Sequence, residues 1–211
     1  MICISIGHMD QINELNQIKP ELVELRYDLL GVWPEEINHK LLKDIRQVAT
    51  CRPGMLSEQE RQKLILQAIE LGVDYVDLEI ESPPELIEVV SAACRDKKCN
   101  FILSYHNFEE TPDMKDLKSL LNQAFKKGAD VAKIACMVHE PEDNARLLSL
   151  YAEPGRKIIL GMGKQGKITR LSALNMGGEF TFASLSKDTA TAPGQLTYKE
   201  LKSFISYIER L

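Results

Sequence analysis

Eight short apolar segments alternate with helix-like segments along the whole chain, and this alternation constrains the fold more than any other feature. The segments span residues 2–7, 22–28, 47–52, 75–81, 100–108, 130–137, 157–163 and 180–185. Runs of this kind predict strands of a parallel sheet that is covered on both faces. Eight β/α alternations within 211 residues favour an α/β fold of the (β/α)8 TIM-barrel type over a doubly wound sheet, which usually has about five or six strands.

The segments between the predicted strands carry the signals of amphipathic helices. Ser57 and Glu60 form a capping-box pattern, and Gly72 is a helix stop. The apolar stripe of this helix is Leu64, Ile65, Ala68 and Ile69. Two further helices are predicted to begin at Thr111 and Pro112, with Gly128 as the stop, and at Thr197 with Glu200. Because no linker or low-complexity segment divides the chain, we expect a single barrel domain over residues 1–211.

The composition is that of an ordinary globular protein, with 44% apolar and 27% charged residues. The net charge is −5, and no block of lysine and arginine interleaves with aromatic residues, so no nucleic-acid partner is predicted. The N-terminal residues MICISIGHMD lack signal-peptide features, and no apolar run approaches about 18 residues. We therefore expect a cytoplasmic protein without a membrane segment, in which an anionic ligand would need a local basic pocket.

The cysteines predict neither disulfides nor a metal site. There are five of them, an odd number, and three lie in apolar strand-like runs, where cysteine acts as a small hydrophobic residue. Cys94 and Cys99 are the one close pair, and no second pair of cysteines or histidines completes four zinc ligands.

One charged residue interrupts the sixth predicted strand. In the apolar run from Val131 to Cys136, the single exception is Lys133. A lysine is seldom fully buried unless it is paired. Lys133 is therefore either a boundary residue whose long side chain reaches solvent or part of a functional site, and the run alone leaves both interpretations open.

Polar residues cluster where the predicted strands end, which is the position of active sites in (β/α)8 barrels. The second to sixth strands carry there Glu24, Arg26, Asp28, Thr50, Arg52, Asp77, Glu79, Ser104, His106 and Lys133. Three of them suggest a joint chemistry: Glu79 orients His106, the imidazole moves a proton, and Lys133 attacks a carbonyl carbon. Taken singly, the carboxylate could be a solvated strand end, the arginines rim ion pairs and the histidine a satisfied rim residue.

The glycines of GMGKQG (161–166) match the dinucleotide-binding pattern GxGxxG as a string. That fingerprint belongs to the first βα turn of a Rossmann unit with several strands following, whereas here one predicted strand remains. We therefore read Gly161, Gly163 and Gly166 as residues of a tight turn, or as a place where the backbone approaches a ligand closely.

Five motifs at the predicted strand ends resemble those of type I 3-dehydroquinate dehydratases. They are ELRYD at 24–28, SYHNF at 104–108, AKIACM at 132–137, ITRL at 168–171 and TAPGQ at 191–195. Each motif is weak alone, but the five occur in order over nearly the whole chain. The resemblance implies a hydro-lyase that converts 3-dehydroquinate to 3-dehydroshikimate in the shikimate pathway, without metal or cofactor.

The resemblance also implies roles for individual residues. Lys133 would be the Schiff-base lysine, His106 the proton-transfer residue and Glu79 its carboxylate partner. Substrate-binding positions would be Glu24, Arg26, Arg52, Arg170, Thr191 and Gln195, with Arg170 taking the substrate carboxylate. Thr191 stands where the family often has serine.

Three further expectations follow from the resemblance. The N-terminal hairpin that closes the barrel floor in many relatives is expected to be absent, because the first predicted strand begins almost at residue 1. A homodimer is one expected assembly. Some relatives are fused to a shikimate dehydrogenase, so such a fusion is a second expected context for the domain.

Two other functions fit parts of the pattern. A class I aldolase also uses a strand-borne Schiff-base lysine in a barrel, and many aldolases have a phosphate site after strands seven and eight, where this chain has GMGKQG. A barrel that only binds a carboxylate ligand is the non-enzymatic alternative. TAPGQ and the set Glu79, His106 and Lys133 favour the dehydratase over both.

Overall fold

A computed structural model describes residues 1–210, and its strands form one parallel sheet. The strands are β1 (Ile2–Ile6), β2 (Leu22–Arg26), β3 (Arg46–Thr50), β4 (Tyr75–Glu79), β5 (Asn100–Asn107), β6 (Val131–Met137), β7 (Arg156–Met162), β8 (Thr181–Ser184) and β9 (Leu196–Thr197). Their hydrogen-bonded order is β7-β6-β5-β4-β3-β2-β1-β8-β9. All eight predicted strands are present, and the two-residue β9 is an addition at the edge of β8.

The sheet curls into a barrel whose interior receives side chains from all eight long strands. The interior cluster consists of Cys3, Leu22, Val48, Tyr75, Ile102, Val131, Ala135, Ile158, Leu160, Phe180 and Phe182. The seam lies between β7 and β8, which share no ladder; the backbone N–H of Glu179 donates to the carbonyl of Lys157 there, at 3.0 Å. The predicted (β/α)8 architecture is therefore confirmed.

The helices surround the barrel and bury the outward faces of the strands. They are α1 (Gln11–Ile18), α2 (Tyr27–Leu30), α3 (Pro34–Asn38), α4 (Glu58–Glu70), α5 (Pro84–Lys97), α6 (Met114–Lys126), α7 (Pro141–Ser149), α8 (Lys167–Ser172) and α9 (Tyr198–Ile208). None of those within residues 1–210 combines the length and apolarity needed to cross a bilayer. The five cysteines are buried and free.

Two of the three predicted helix starts are confirmed, and the third is displaced. The capping boxes at Ser57 and Thr197 open α4 and α9. The helix predicted to begin at Thr111 begins instead after Asp113, whose side chain accepts from the backbone N–H of Asp116. Thr111 donates its hydroxyl to the carbonyl of Met137, so its side chain is used to fix the loop rather than to cap the helix.

Aromatic rings and ion pairs fill the amino-terminal end of the barrel. The ring of Phe180 packs edge-on against Tyr75 and Phe182, with centroids 5.2 and 5.3 Å away. The Tyr75 hydroxyl donates to Glu179, which also accepts from Arg156. In the described residues β1 begins at Ile2, and no hairpin crosses this end. The predicted domain ends at Leu211, which lies outside the described residues.

Candidate active site

A cavity of about 410 Å³ opens at the carboxyl ends of the strands. Its walls contain all nine residues predicted for the site: Glu24, Arg26, Arg52, Glu79, His106, Lys133, Arg170, Thr191 and Gln195. The floor and sides also include Ser5, Phe108, Leu160, Met162 and Phe182. The barrel therefore brings together polar groups that are far apart in the sequence, from the ends of β1 to β6, from α8 and from the loop before β9.

Lys133 points into the barrel from β6 and is 5% exposed. Its Nζ donates to Asp77 Oδ2 at 2.7 Å and lies 4.3 Å from the ring centroid of Phe182. Strand register explains the position, because Lys133 is opposite Ser104 of β5, which in turn is opposite Glu79 of β4. The interpretation of Lys133 as a boundary residue that reaches solvent is excluded.

Asp77 is a fully buried carboxylate at the centre of the charge network. Its Oδ1 accepts from Ser104 Oγ at 2.6 Å and from Arg52 Nη1 at 3.0 Å. Burial raises the pKa of Asp77, but the positive charges of Arg52 and Lys133 outweigh burial and hold this pKa well below its usual range. Sequence reasoning noted Asp77 as a strand-end residue but did not assign it to the site, although its period-two relation to Glu79 was a usable signal.

Glu79 has different partners from those predicted. Its Oε1 accepts from Arg52 at 2.5 Å, and its Oε2 accepts from Arg61. Within residues 1–210 the ring of His106 has no hydrogen-bond partner, so the predicted Glu79–His106 hydrogen bond is not formed. The physical reason is that the guanidinium groups of Arg52 and Arg61 occupy both oxygens of this carboxylate. Such hydrogen bonds between charged partners are stronger than a hydrogen bond to a neutral imidazole.

Arg61 was not predicted as a site residue. It lies on α4, is 1% exposed, and donates to the carbonyl of Cys51 at 2.5 Å as well as to Glu79. A signal was present in the sequence, because Arg61 shares the helical face of Leu64, Ile65 and Ala68 at three- and four-residue spacing. A charged residue on an otherwise apolar helix face needs a buried partner.

His106 lies at the carboxyl end of β5, half-buried, and its ring stacks on that of Phe108 with centroids 6.2 Å apart. Burial lowers the pKa of His106 well below its usual value, and the nearby charges of Arg52 and Lys133 lower it further. The imidazole is therefore neutral at neutral pH, which is the form that accepts a proton.

Arg170 presents a guanidinium to the cavity from α8 and is 2% exposed. Within residues 1–210 no carboxylate pairs with it, and its Nε has no hydrogen-bond partner. Burial lowers the pKa of Arg170 to about 10, so the group is still a cation at neutral pH. A buried, unpaired guanidinium beside a cavity is suited to bind an anion with a planar pair of oxygens.

The other predicted binding residues form local pairs around the rim. Glu24 Oε1 accepts from the hydroxyl of Thr50 at 2.9 Å. Arg26 is paired with Asp28 at 2.6 Å, so the rim ion pair considered as an alternative is present for this residue. Gln195 Oε1 accepts from the backbone N–H of Thr191 at 2.8 Å.

Comparison with known proteins identifies the family. The model of the family described as Type I 3-dehydroquinase matches residues 3–211. This chain belongs to the type I 3-dehydroquinase family. The 3-dehydroquinate dehydratase of Methanococcus maripaludis strain C6 is 34% identical over 221 residues, covering 99% of this chain and 100% of the relative. That of Pyrococcus abyssi is 32% identical, covering 94% of this chain and 93% of the relative. As a dehydroquinase, the chain is a hydro-lyase.

Solved dehydroquinase structures have the same barrel. The 3-dehydroquinate dehydratase of Aquifex aeolicus is 28% identical and has a TM-score of 0.87. The match covers 100% of this chain and 100% of that one. The type I enzyme of Clostridium difficile with covalent modified comenic acid is 25% identical with a TM-score of 0.87, over 99% of this chain and 92% of that one. No group of three potential metal ligands occurs in the part of this dehydroquinase that the structure describes.

The glycines of GMGKQG are explained by close packing of the turn on itself. A Cβ at Gly166 would lie 2.4 Å from the carbonyl carbon of Gly161. The backbone N–H of Gly161 donates to the hydroxyl of Thr169 at 2.6 Å, so this amide is not free for a phosphate. The turn thereby holds α8, and with it Arg170, against the end of β7 in this dehydroquinase.

Proposed function

We propose that this chain dehydrates 3-dehydroquinate to 3-dehydroshikimate through a Schiff base formed on Lys133, as a step of the shikimate pathway. The observation that carries this proposal is the buried amine of Lys133, which faces a cavity that also holds a neutral imidazole and an unpaired guanidinium. We propose further that a single barrel domain over residues 1–211 is sufficient, acts in the cytoplasm and needs no metal or cofactor.

The first chemical step is attack of the Lys133 nitrogen on the ketone carbon of the substrate. The ketone oxygen leaves as water, and a protonated imine remains. This cation withdraws electrons from the neighbouring carbon and makes its proton acidic. A Schiff base thus supplies the electron sink that a metal or a cofactor would otherwise provide.

The second step is proton removal by His106. Its low pKa keeps the imidazole neutral, and the position of its ring at the cavity wall brings a base to the substrate. The imidazolium then protonates the hydroxyl that leaves from the next carbon, which completes the elimination. Water then hydrolyses the imine, which releases the product and restores the amine of Lys133. Positioned acid–base catalysis of this kind contributes about 10²- to 10⁴-fold in rate.

Binding of the substrate is assigned to the remaining polar groups. Arg170 binds the carboxylate through its planar fork. Glu24, Arg26, Arg52 and Gln195 bind substrate hydroxyl and carbonyl oxygens, and Thr191 supplies a hydroxyl at the mouth. Glu79 has a positioning role: it fixes Arg52 between Asp77 and itself, in place of the predicted contact with His106.

Covalent chemistry in a relative supports this assignment. The Clostridium difficile enzyme was solved with covalent modified comenic acid. The aldolase alternative has less support, because packing accounts for the glycines of GMGKQG, where its phosphate site was expected.

The test is turnover of 3-dehydroquinate, followed by the absorbance of the conjugated enone that forms in the product. Wild-type protein treated with EDTA is expected to be fully active. Lys133→Ala is expected to be inactive, and Lys164→Ala, which removes an exposed lysine of the GMGKQG turn, is the matched control and should keep normal activity. Turnover by Lys133→Ala at a rate near that of wild type would contradict the proposal.

A further inference from the structure

Asp77 touches the nitrogen that reacts, and no role in the reaction has been assigned to it so far. Its Oδ2 is 2.7 Å from Lys133 Nζ, and its side chain is completely buried. On another side the same nitrogen faces the Phe182 ring, 4.3 Å from its centroid. Among residues 1–210, Asp77 is therefore the charged group in direct contact with this nitrogen.

The two oxygens of Asp77 have separate tasks. Oδ1 accepts from Ser104 at 2.6 Å and from Arg52 at 3.0 Å, and these contacts fix the orientation of the carboxylate. Oδ2 is thereby directed at Lys133. Arg52 and Lys133 lower the pKa of Asp77 against the effect of burial, so the carboxylate keeps its charge and does not exchange protons during the reaction. This separates Asp77 from His106, which is the mobile acid and base.

We propose that Asp77 is the counter-ion of the protonated imine on Lys133 and keeps that imine in its protonated form. The inference rests on the proposed Schiff-base function. Lys133, paired with Asp77, first passes one proton to the neutral imidazole of His106, and the freed nitrogen bonds to the ketone carbon. The ketone oxygen then leaves as water with that proton, returned by His106, and a second proton from the nitrogen. The third proton stays on the nitrogen and forms the hydrogen bond to Asp77 Oδ2.

The charge balance around the nitrogen explains why a counter-ion is needed. An unpaired cation in a buried site is strongly disfavoured, and a carboxylate in contact with it offsets that cost. Only the protonated imine is a good electron sink. If the imine nitrogen lost its proton, His106 could no longer remove the proton from the neighbouring carbon of the substrate. The titratable groups around this pair are Cys3 on β1, Glu24 and Arg26 on β2, Arg52 after β3, Glu79 on β4, His106 on β5 and Arg170 on α8. Among them Glu24 and Glu79 are the other anions. Glu24 accepts from Thr50, and Glu79 accepts from Arg52 and Arg61.

The experiment is capture of the imine by cyanoborohydride as a function of pH, because this reagent reduces protonated imines far faster than neutral ones. Asp77→Asn keeps the shape of the side chain and removes its charge. The pH at which capture is half-maximal is expected to fall by at least one pH unit relative to wild type, which is a tenfold or greater loss of capture rate at high pH. Asp74→Asn, which removes the same charge from a carboxylate paired with Arg46 at the opposite end of the barrel, should leave that pH unchanged.

The outcomes distinguish the two proposals. If wild type shows turnover but no capture at Lys133, the Schiff-base function fails. If wild type is captured and Asp77→Asn has the wild-type pH dependence, or loses capture equally at every pH, the counter-ion proposal alone is overturned.

Asp77→Ala, assayed in formate and in formamide, covers the case in which Asp77→Asn does not fold. Formate carries the negative charge that Asp77→Ala lacks, whereas formamide is neutral. Formate should therefore increase the capture of the imine at least tenfold over formamide, and equal capture with the two reagents would overturn the proposal.

Discussion

The charges of the cavity are unequally matched, and this imbalance predicts the kind of ligand. Glu79 and Asp77 each have an arginine or lysine partner, whereas Arg170 has none among residues 1–210. A buried guanidinium without a partner costs free energy in the unliganded protein. Binding of a carboxylate would remove that cost, so we expect the protein to select an anionic substrate although its net charge is −5.

Replacement of Arg170 tests this point. Arg170→Lys keeps the charge and loses the planar fork, so kcat/KM for 3-dehydroquinate is expected to fall by roughly tenfold or more, which corresponds to about 1.4 kcal/mol. Arg156→Lys, at the opposite end of the barrel with 45% of its side chain exposed, is the matched control. An unchanged kcat/KM in Arg170→Lys would remove this residue from the carboxylate site.

The low pKa of His106 has a consequence for stability. Because the folded protein holds His106 neutral, the unfolded chain binds a proton at this residue below pH ~6.5 that the folded chain does not. The free energy of unfolding therefore falls as pH falls below this value. Between pH 7 and pH 5.5, wild type is expected to lose about 1 kcal/mol more than His106→Ala. Urea unfolding at the two pH values measures this difference, and equal losses in the two proteins would contradict it.

At the residue scale, the sequence predicted which side chains line the cavity but not how they pair. The ends of parallel strands meet at one edge, so Glu24, His106 and Lys133 follow from the strand assignment alone. The partner of Glu79 could not be predicted in this way, because it depends on the side-chain conformation of Arg52 and on the rotation of α4, which delivers Arg61.

At the element scale, the elements with strong hydrophobic patterns were predictable and the irregular ones were not. Long apolar runs and capping boxes gave the eight strands, α4 and α9. The start of α6 was missed because Thr111, Pro112 and Asp113 all match a helix start, and only the observed hydrogen bond of Asp113 decides among them. A two-residue strand such as β9 has no periodicity to detect.

The turn from Gly161 to Gly166 is the element on which the position of Arg170 depends most. Gly166→Ala would place a Cβ 2.4 Å from Gly161, and overpacking of this kind typically costs about 1–3 kcal/mol. We expect a lower melting temperature together with at least a tenfold lower kcat/KM, because α8 moves with the turn. Gln165→Ala, at the exposed neighbouring position, should change neither. If Gly166→Ala had normal stability and activity, the turn would have room for a Cβ at this position, which contradicts the close packing described here.

At the scale of the whole molecule, the cavity and a network of hydrogen bonds and ion pairs lie at opposite ends of the barrel. The carboxyl ends of the strands hold the cavity, whereas Tyr75, Arg156 and Glu179 join the strands at the amino-terminal end. Sequence reasoning identified the barrel but not its seam, because the closing contacts depend on the final curvature of the sheet.

Removal of Glu179 tests the separation of the two ends. Glu179→Ala removes the acceptor of the hydrogen bonds that the buried Tyr75 and Arg156 donate, so we expect the free energy of unfolding to fall by about 1–3 kcal/mol. Its kcat/KM is expected to stay within about twofold of wild type. Glu70→Ala, which removes the exposed pair with Lys97, should cost less than about 1 kcal/mol. A large loss of activity in folded Glu179→Ala would contradict the separation.

Covalent capture of the substrate on Lys133 is the most direct test of the proposed Schiff base. Borohydride added during turnover of 3-dehydroquinate reduces an imine to a stable amine, and peptide mapping by mass spectrometry then locates the added mass. We expect one reduced adduct per chain, on the peptide that contains Lys133, and no adduct in Lys133→Ala. Turnover without an adduct, or an adduct on a different lysine, would contradict it.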